Sequence, residues 1–289
     1  MKIFTIDLYD RFGLKKTESG GYLTAYIADD VLDDHPARKR PAMLVIPGGG
    51  YSFVSPREAE PIALSFLSKG FNSFVLDYTV RKPFPTELIE ADLAMAYIRK
   101  YSDELSVQTD KIACVGFSAG GHLAACLSTI PTEKAVTEYF ESNGIFVGED
   151  KERLFRPNAA VLSYPVITMD SAYTHAGTAE IVTGGDNGLI AALSMEKRVT
   201  ASNPPTFIWH TADDDCVPVM NSLRFAAALS DHGVPFSLRI YKNGPHGLSL
   251  CNDLVSEKPY EASGDIANWH TEAHEFLKSF GFDLYEKRS

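Results

Sequence analysis

Ser118 stands at the centre of Gly116-Phe117-Ser118-Ala119-Gly120, a Gly-x-Ser-x-Gly match that follows an apolar strand-like run and precedes a helix-like one. A sharp strand-to-helix turn exposes the hydroxyl of such a serine, and small flanking residues let strand and helix pack closely around it. A serine hydroxyl is a weak nucleophile at neutral pH. It needs a base to take its proton, and the base needs a carboxylate to orient it. Turns of this type are followed in chain order by the acid and then the histidine. His246, in Asn243-Gly244-Pro245-His246-Gly247, comes after the last strand signal and is the candidate base. Asp213, Asp214 and Asp215 stand together after the preceding strand signal and supply the candidate acids. The chemistry would be acyl transfer through a covalent serine intermediate.

Acyl transfer places negative charge on a carbonyl oxygen, which must meet donors fixed in advance. Pro47-Gly48-Gly49-Gly50-Tyr51 follows the first central strand signal, and its glycines let backbone N–H groups approach a substrate without Cβ interference. The expected donors are Gly49, Gly50 and Ala119, the residue after the nucleophile. Tyr51 and Phe53 are candidate walls of the acyl pocket, and Arg57, Glu58 and Tyr78 are candidate sugar contacts. The remaining histidines read as structural. His122, four residues after Ser118, shares its helix face and reads as a packing or supporting group, while His210 ends a buried strand and hydrogen-bonds locally. His270 and His274 have the spacing of two metal ligands, but the zincin pattern needs Glu directly after the first histidine and Thr271 is there instead. The aspartate triplet lacks the regular spacing of a cation loop. No metal and no cofactor is expected.

These groups need a frame that brings distant loops to one edge. Residues 42–46 form a continuous apolar run, as strands buried on both faces do. A helix is expected next, with Ser55 as N-cap, Pro56 in the first position, Glu58 completing a capping box and Gly70 as the stop. The alternation continues with strands at 72–78, 111–116, 159–164, 207–211 and 236–241, and helices at 86–100, 119–128, 223–232 and 269–280. Strands joined by helices predict a mostly parallel sheet covered on both faces, with segments 3–9 and 22–28 as antiparallel edge strands. Segments 131–157 and 171–205 break the alternation and read as short cap-like insertions after strand ends, where ligands bind. The cluster Gly184-Gly185-Asp186-Asn187-Gly188 is a turn and not a phosphate loop, since no Gly-Lys-Ser/Thr follows.

The 289 residues are 45% hydrophobic and 22% charged, enough for one large core without disulfides, and no linker divides them. A single domain over 1–289 is the reading. The net charge of -11 disfavours nucleic acid, and the densest basic run, Arg38-Lys39-Arg40, sits beside Asp33 and Asp34 as a solvated loop would. No apolar run is long enough to span a membrane. Residues 1–8 alternate like a strand and lack the apolar region of a signal peptide, and Cys114, Cys126, Cys216 and Cys251 are scattered like reduced thiols. The expected location is cytoplasmic. A homodimer is compatible with the sequence.

The glycine loop followed by Ser55-Pro56-Arg57-Glu58-Ala59-Glu60-Pro61-Ile62-Ala63, together with residues 116–125, 210–218 and 244–247, resembles bacterial acetyl-xylan-esterase-like α/β hydrolases. The resemblance covers the chain from about residue 42 onward. The spacing of Asp214 to Val217-Pro218 resembles the Asp-x-x-Val-Pro pattern of many hydrolases and favours Asp214 as the acid, with Asp213 next. Hormone-sensitive-lipase-like esterases are more distant, for they usually carry His where this chain has Pro47. The resemblance implies an α/β-hydrolase fold and a serine esterase that removes short acyl groups, particularly acetyl, from small carbohydrates. Histidine's ordinary pKa of about 6.5 then predicts activity rising through neutral pH. A related amide hydrolase, such as an arylformamidase or a small peptidase, would use the same triad. A binding protein that kept the fold and lost the activity is a third reading, disfavoured because every candidate group is present.

Overall fold

The computed structural model describes residues 1–30, 38–256 and 265–284. Eight strands form one sheet in the order β1-β2-β4-β3-β5-β6-β7-β8, with β1 at Lys2–Asp7, β2 at Tyr22–Ile27, β3 at Arg40–Ile46 and β4 at Asn72–Asp77. The other half comprises β5 at Val107–Phe117, β6 at Ala159–Ser163, β7 at Thr206–Thr211 and β8 at Phe236–Tyr241. β1 and β2 run antiparallel, and every pairing from β4 to β8 is parallel. β2 lies inside the sheet between β1 and β4, so only β1 is an edge on that side.

The side chains of β3 show why its sequence is apolar throughout. Ala42, Leu44 and Ile46 enter one core cluster, while Met43 and Val45 enter the other. Both faces are dry, so period-two alternation yields no polar position. The first face is covered by α1 (Leu8–Arg11), α3 (Thr86–Lys100), α4 (Ser118–Thr129) and α9 (Met220–Asp231). The second face is covered by α2 (Glu60–Ser68) and α10 (Trp269–Ser279).

The helix expected from Ser55 divides in two. Pro56–Glu58 is a single 3-10 turn, Ala59 breaks the geometry at φ -101° and ψ -105°, and α2 starts at Glu60. Pro61 forces this break. It has no N–H and its ring would strike the carbonyl four residues back, so it fits only the first turn of a helix. Ser55 makes no capping bond with its side chain, and the Glu58 carboxylate points inward instead.

The basic run is also more ordered than a solvated loop. Arg40 is buried at the start of β3, Arg38 pairs with Asp30 and Lys39 with Asp103. Asp33 and Asp34 lie outside the described residues.

Of the two insertions, only the second leaves from a strand end. Segment 131–157 follows α4, whose twelve residues run away from Ser118 for about 18 Å. It carries α5 (Lys134–Ser142) and α6 (Lys151–Phe155), and the segment packs through Phe140, Phe146 and Phe155 beside Phe12. Segment 171–205 follows β6 and carries α7 (Ala176–Thr183), α8 (Asn187–Ala192) and a 3-10 turn at Met195–Lys197. Within its glycine cluster, Gly184 ends α7 in the left-handed region and Asp186 caps α8 by accepting from the Gly188 N–H.

Candidate active site

Ser118 occupies the turn between β5 and α4 with φ 52°, a left-handed conformation that costs a non-glycine residue strain. The flanking glycines let the turn close. A Cβ on Gly116 would lie 2.3 Å from the carbonyl oxygen of Gly120, and one on Gly120 would lie 2.2 Å from that of Pro47. The Ser118 carbonyl accepts from the Val166 N–H at 3.0 Å, which anchors the turn to the chain after β6.

The His246 loop delivers its imidazole to this serine. His246 Nε2 lies 2.7 Å from Ser118 Oγ, and its Nδ1 lies 2.7 Å from Asp214 Oδ2. A carboxylate can only accept, so Nδ1 carries the proton and Nε2 is free to accept from the serine hydroxyl. Asp214 is almost fully buried, and each of its oxygens is engaged. Oδ1 accepts from the N–H groups of Cys216 at 3.0 Å and Val217 at 2.8 Å, and Oδ2 also faces His210 Nε2 at 3.2 Å. Burial opposes the charge, but the bonds from His210, His246 and Val217 outweigh it and hold the carboxyl well below the usual carboxylate range.

The three aspartates separate clearly. Asp213 turns outward and accepts from the Gly244 N–H at 2.7 Å, pinning the start of the histidine loop, and Asp215 is exposed. Only Asp214 meets His246. His210 is wholly buried, donates from Nε2 to the Val217 carbonyl at 2.9 Å and accepts at Nδ1 from Ser222 Oγ at 2.8 Å. It therefore braces the aspartate turn.

The glycine loop lies against the same serine. Gly49, Gly50 and Tyr51 have φ of 124°, 62° and 58°, and a Cβ on Gly49 would meet the Phe53 carbonyl oxygen at 2.0 Å. Among the described residues, the N–H groups of Gly49 and Gly50 have no acceptor. Ala119 sits in the first turn of α4, where N–H groups have no partner within the helix. The three expected oxyanion donors are thus available. Tyr51 is not a pocket wall, for it is buried and its hydroxyl donates to His122 Nδ1 at 3.0 Å. His122 donates from Nε2 to the Leu193 carbonyl, and burial pushes its pKa down to about 4. The imidazole is a neutral spacer under the loop, while Phe53 stands on the surface.

Glu58 and Tyr78 are not sugar contacts, since both are buried. Tyr78 donates to the Pro47 carbonyl at 2.8 Å. Glu58 joins the two halves of the site: Oε2 accepts from the Gly48 N–H at 2.9 Å, and Oε1 accepts from the Tyr164 hydroxyl at 2.6 Å. The same phenol oxygen accepts from the Ser249 N–H at 2.9 Å, and the Tyr164 ring meets the His246 ring edge-on at 5.0 Å. Burial and the adjacent Glu58 hold the phenol well above its ordinary value, so it stays a donor. Ser249 in turn donates from Oγ to the Arg57 carbonyl at 2.6 Å. Sequence patterns do not reveal this link, since they place Glu58 in a capping box. Arg57 itself is half-buried.

Away from this edge, His270 donates from Nδ1 to the Ala267 carbonyl, and His274 packs against Phe71. No group of three metal-ligating side chains occurs among the described residues. None of the helices is long and apolar enough to cross a membrane among the described residues.

Comparison with known proteins places this geometry in a family. A bifunctional acetyl ester-xyloside hydrolase from Caldicellulosiruptor lactoaceticus superposes with a TM-score of 0.80 at 33% identity, covering 97% of each chain. A carboxylesterase from Lactobacillus plantarum superposes at 0.83 with 26% identity, covering 99% of this chain and 100% of that one. In sequence, the chain is 35% identical over 80% of its length to an endo-1,4-beta-xylanase B of Butyrivibrio fibrisolvens, and 29% identical over 76% to an acetylxylan esterase of Xylanibacter ruminicola. It spans only 35% and 43% of those two longer proteins. The BD-FAE family profile matches residues 29–229, so the chain belongs to the BD-FAE family and has the α/β-hydrolase fold.

Proposed function

We propose that the protein is a serine esterase that hydrolyses short-chain acyl esters, in particular acetyl esters of small carbohydrates. The observation that carries this reading is the continuous chain Ser118–His246–Asp214, with 2.7 Å at each step, set beside N–H groups of the glycine loop that have no acceptor among the described residues. His246 takes the Ser118 proton as Oγ attacks the ester carbonyl. The carbonyl oxygen, now negative, rests on the N–H groups of Gly49, Gly50 and Ala119. The C–O bond to the alcohol breaks, and the departing oxygen receives the proton from His246. Water then adds to the acyl-enzyme with His246 again as base, and Ser118 leaves with the proton as the carboxylic acid departs. Asp214 keeps the proton on Nδ1 and stabilises the imidazolium formed in each half.

The similarity to acetyl-ester hydrolases of xylan chemistry supports the acetyl and carbohydrate part of the reading. Small sugars in the cytoplasm fit the four cysteines, which are thiols and not disulfides, three of them buried. Ser118→Ala is the direct test: p-nitrophenyl acetate hydrolysis falls at least 1000-fold and fluorophosphonate labelling disappears. Retention of most of the activity would remove Ser118 from the mechanism. Turnover of N-formylkynurenine or dipeptide amides ahead of acetyl esters would favour the amide-hydrolase reading.

A further inference from the structure

His175 is brought to the site by segment 171–205, and nothing in the mechanism above uses it. It is half-buried and caps α7, with Nδ1 accepting from the Thr178 N–H at 3.3 Å and lying 2.9 Å from Thr178 Oγ1. A backbone N–H can only donate, so Nδ1 bears no proton and the neutral ring carries it on Nε2. Among the described residues, Nε2 has no partner. The ring lies between α7 and the glycine loop: Cε1 would lie 3.5 Å from a Cβ built on Gly177 and 3.6 Å from one built on Gly50. Burial first, and then the charge that His246 carries when protonated, lower the pKa of His175 against the opposing pull of Asp214. The ring is therefore neutral at neutral pH.

In the mechanism above, three groups mark the parts of a bound ester. Gly50 marks the carbonyl oxygen of a bound ester, Ser118 marks its carbon, and His246 marks the departing alcohol, which it must protonate. His175 thus stands beside Gly50, on the segment that leaves the C-terminal end of β6, the edge of a parallel sheet at which ligands bind.

We propose that His175 is a substrate contact whose Nε2–H donates to an oxygen on the alcohol portion of the ester, so that the site prefers hydroxyl-rich alcohols such as a pentose to apolar ones. The rigid cap on Nδ1 makes this a preorganised donor, which a mobile side chain would not be. This inference rests on the esterase reading and adds its alcohol specificity.

Two variants separate the donor from the cap. In His175→Asn the amide oxygen can replace Nδ1 as the cap, as Asn does at helix starts, but nothing reaches the place of Nε2. In His175→Gln the amide nitrogen can reach the place of Nε2. The readout is the ratio of kcat/KM for a methyl O-acetyl-xyloside to that for p-nitrophenyl acetate. The ratio falls about three- to tenfold in the Asn variant, the worth of one neutral hydrogen bond, and is largely restored in the Gln variant. A ratio within error of wild type in the Asn variant overturns the proposal, as does equal loss in both variants. A wild-type enzyme that hydrolyses butyl acetate as efficiently as the acetyl-xyloside also overturns it. A wild-type protein that hydrolyses no ester, p-nitrophenyl acetate included, would instead refute the esterase reading, which keeps the two failures apart.

Discussion

Glu58→Gln tests whether the glycine loop and the histidine loop are held in register by one side chain. The carboxylate accepts from Gly48 N–H on one oxygen and from the Tyr164 hydroxyl on the other. A glutamine offers one accepting oxygen and an NH2 group that can only donate. Whichever way it turns, either the amide of Gly48 or the hydroxyl hydrogen of Tyr164 loses its acceptor in a buried place. A hydrogen bond to a charged group contributes about 1.5–3 kcal/mol. With about 2 kcal/mol lost, and about 1.4 kcal/mol per factor of ten, the limit on the rate is roughly 30-fold.

That loss falls in the step that uses the geometry. Gly48 precedes the two proposed oxyanion donors, and Tyr164 supports both the His246 ring and, through Ser249, its loop. Neither contact binds the resting ester, so kcat falls about 10- to 30-fold while KM moves little. The fold weakens too, by a few degrees in Tm, because an unpaired polar group remains buried. Steady-state kinetics on p-nitrophenyl acetate alongside a thermal melt distinguishes the outcomes. A Glu58→Gln enzyme with wild-type kcat and a lowered Tm would show that Glu58 only stabilises the fold. An unchanged kcat and Tm would refute the linkage altogether.

The other predictions use the same burial and bonding. Asp214→Asn lowers kcat by about 10⁴, since the amide cannot hold the Nδ1 proton as a carboxylate does. Asp213→Asn, at a side chain that accepts from the Gly244 N–H and does not meet His246, costs no more than about tenfold in the same kinetic assay. Comparable losses in the two variants would overturn the separation of the aspartates. On α3, burial pushes the Glu87 carboxyl up from 4.5 to about 8, and its Oε1 has no hydrogen-bond partner among the described residues. A folded pKa above the unfolded one gives stability that is complete below about 4.5 and is lost as pH rises towards about 8. Glu87→Gln removes that loss, so melts at pH 5 and pH 8 show the variant gaining on wild type as pH rises, by at most about 1.4 kcal/mol per pH unit. A constant difference between the two proteins across that window would mean that Glu87 does not titrate there.

What could be read from the sequence follows the range of each interaction. Helix α3 and strand β8 begin and end where the alternation puts them, because their signals are local. The glycine loop and the serine turn are legible for the same reason: positive φ and close backbone approach demand glycine within a few residues of the functional group. The choice among Asp213, Asp214 and Asp215 is only half legible. Consecutive residues in a turn point different ways, and which one faces inward depends on His210 and on the N–H groups of Cys216 and Val217. Tyr51 reads as a pocket wall from its local sequence because its partner, His122, lies 71 residues away. The polar pattern of 131–157 marks a departure from the sheet without marking which end it leaves from, so its place after α4 is not legible.

Glu58 shows why the least legible residue can govern the most legible ones. Its sequence neighbourhood offers a complete local role, an N-terminal capping box after Ser55. That role fails for a local reason, the proline at 61, and the carboxylate is left to find partners across the fold. Tyr164 is 106 residues away, and the phenol carries the link a further 85 residues to Ser249. Three chain segments that approach the serine from different strands thereby share one buried anion. The glycine loop cannot shift without disturbing Gly48, and the histidine loop cannot shift without disturbing Ser249. Short-range glycine chemistry makes each loop possible, but only the long-range bonds set their separation. On this account a substitution that preserves every motif residue and removes Glu58 or the Tyr164 hydroxyl should leave a protein that still reads as a hydrolase but turns over slowly.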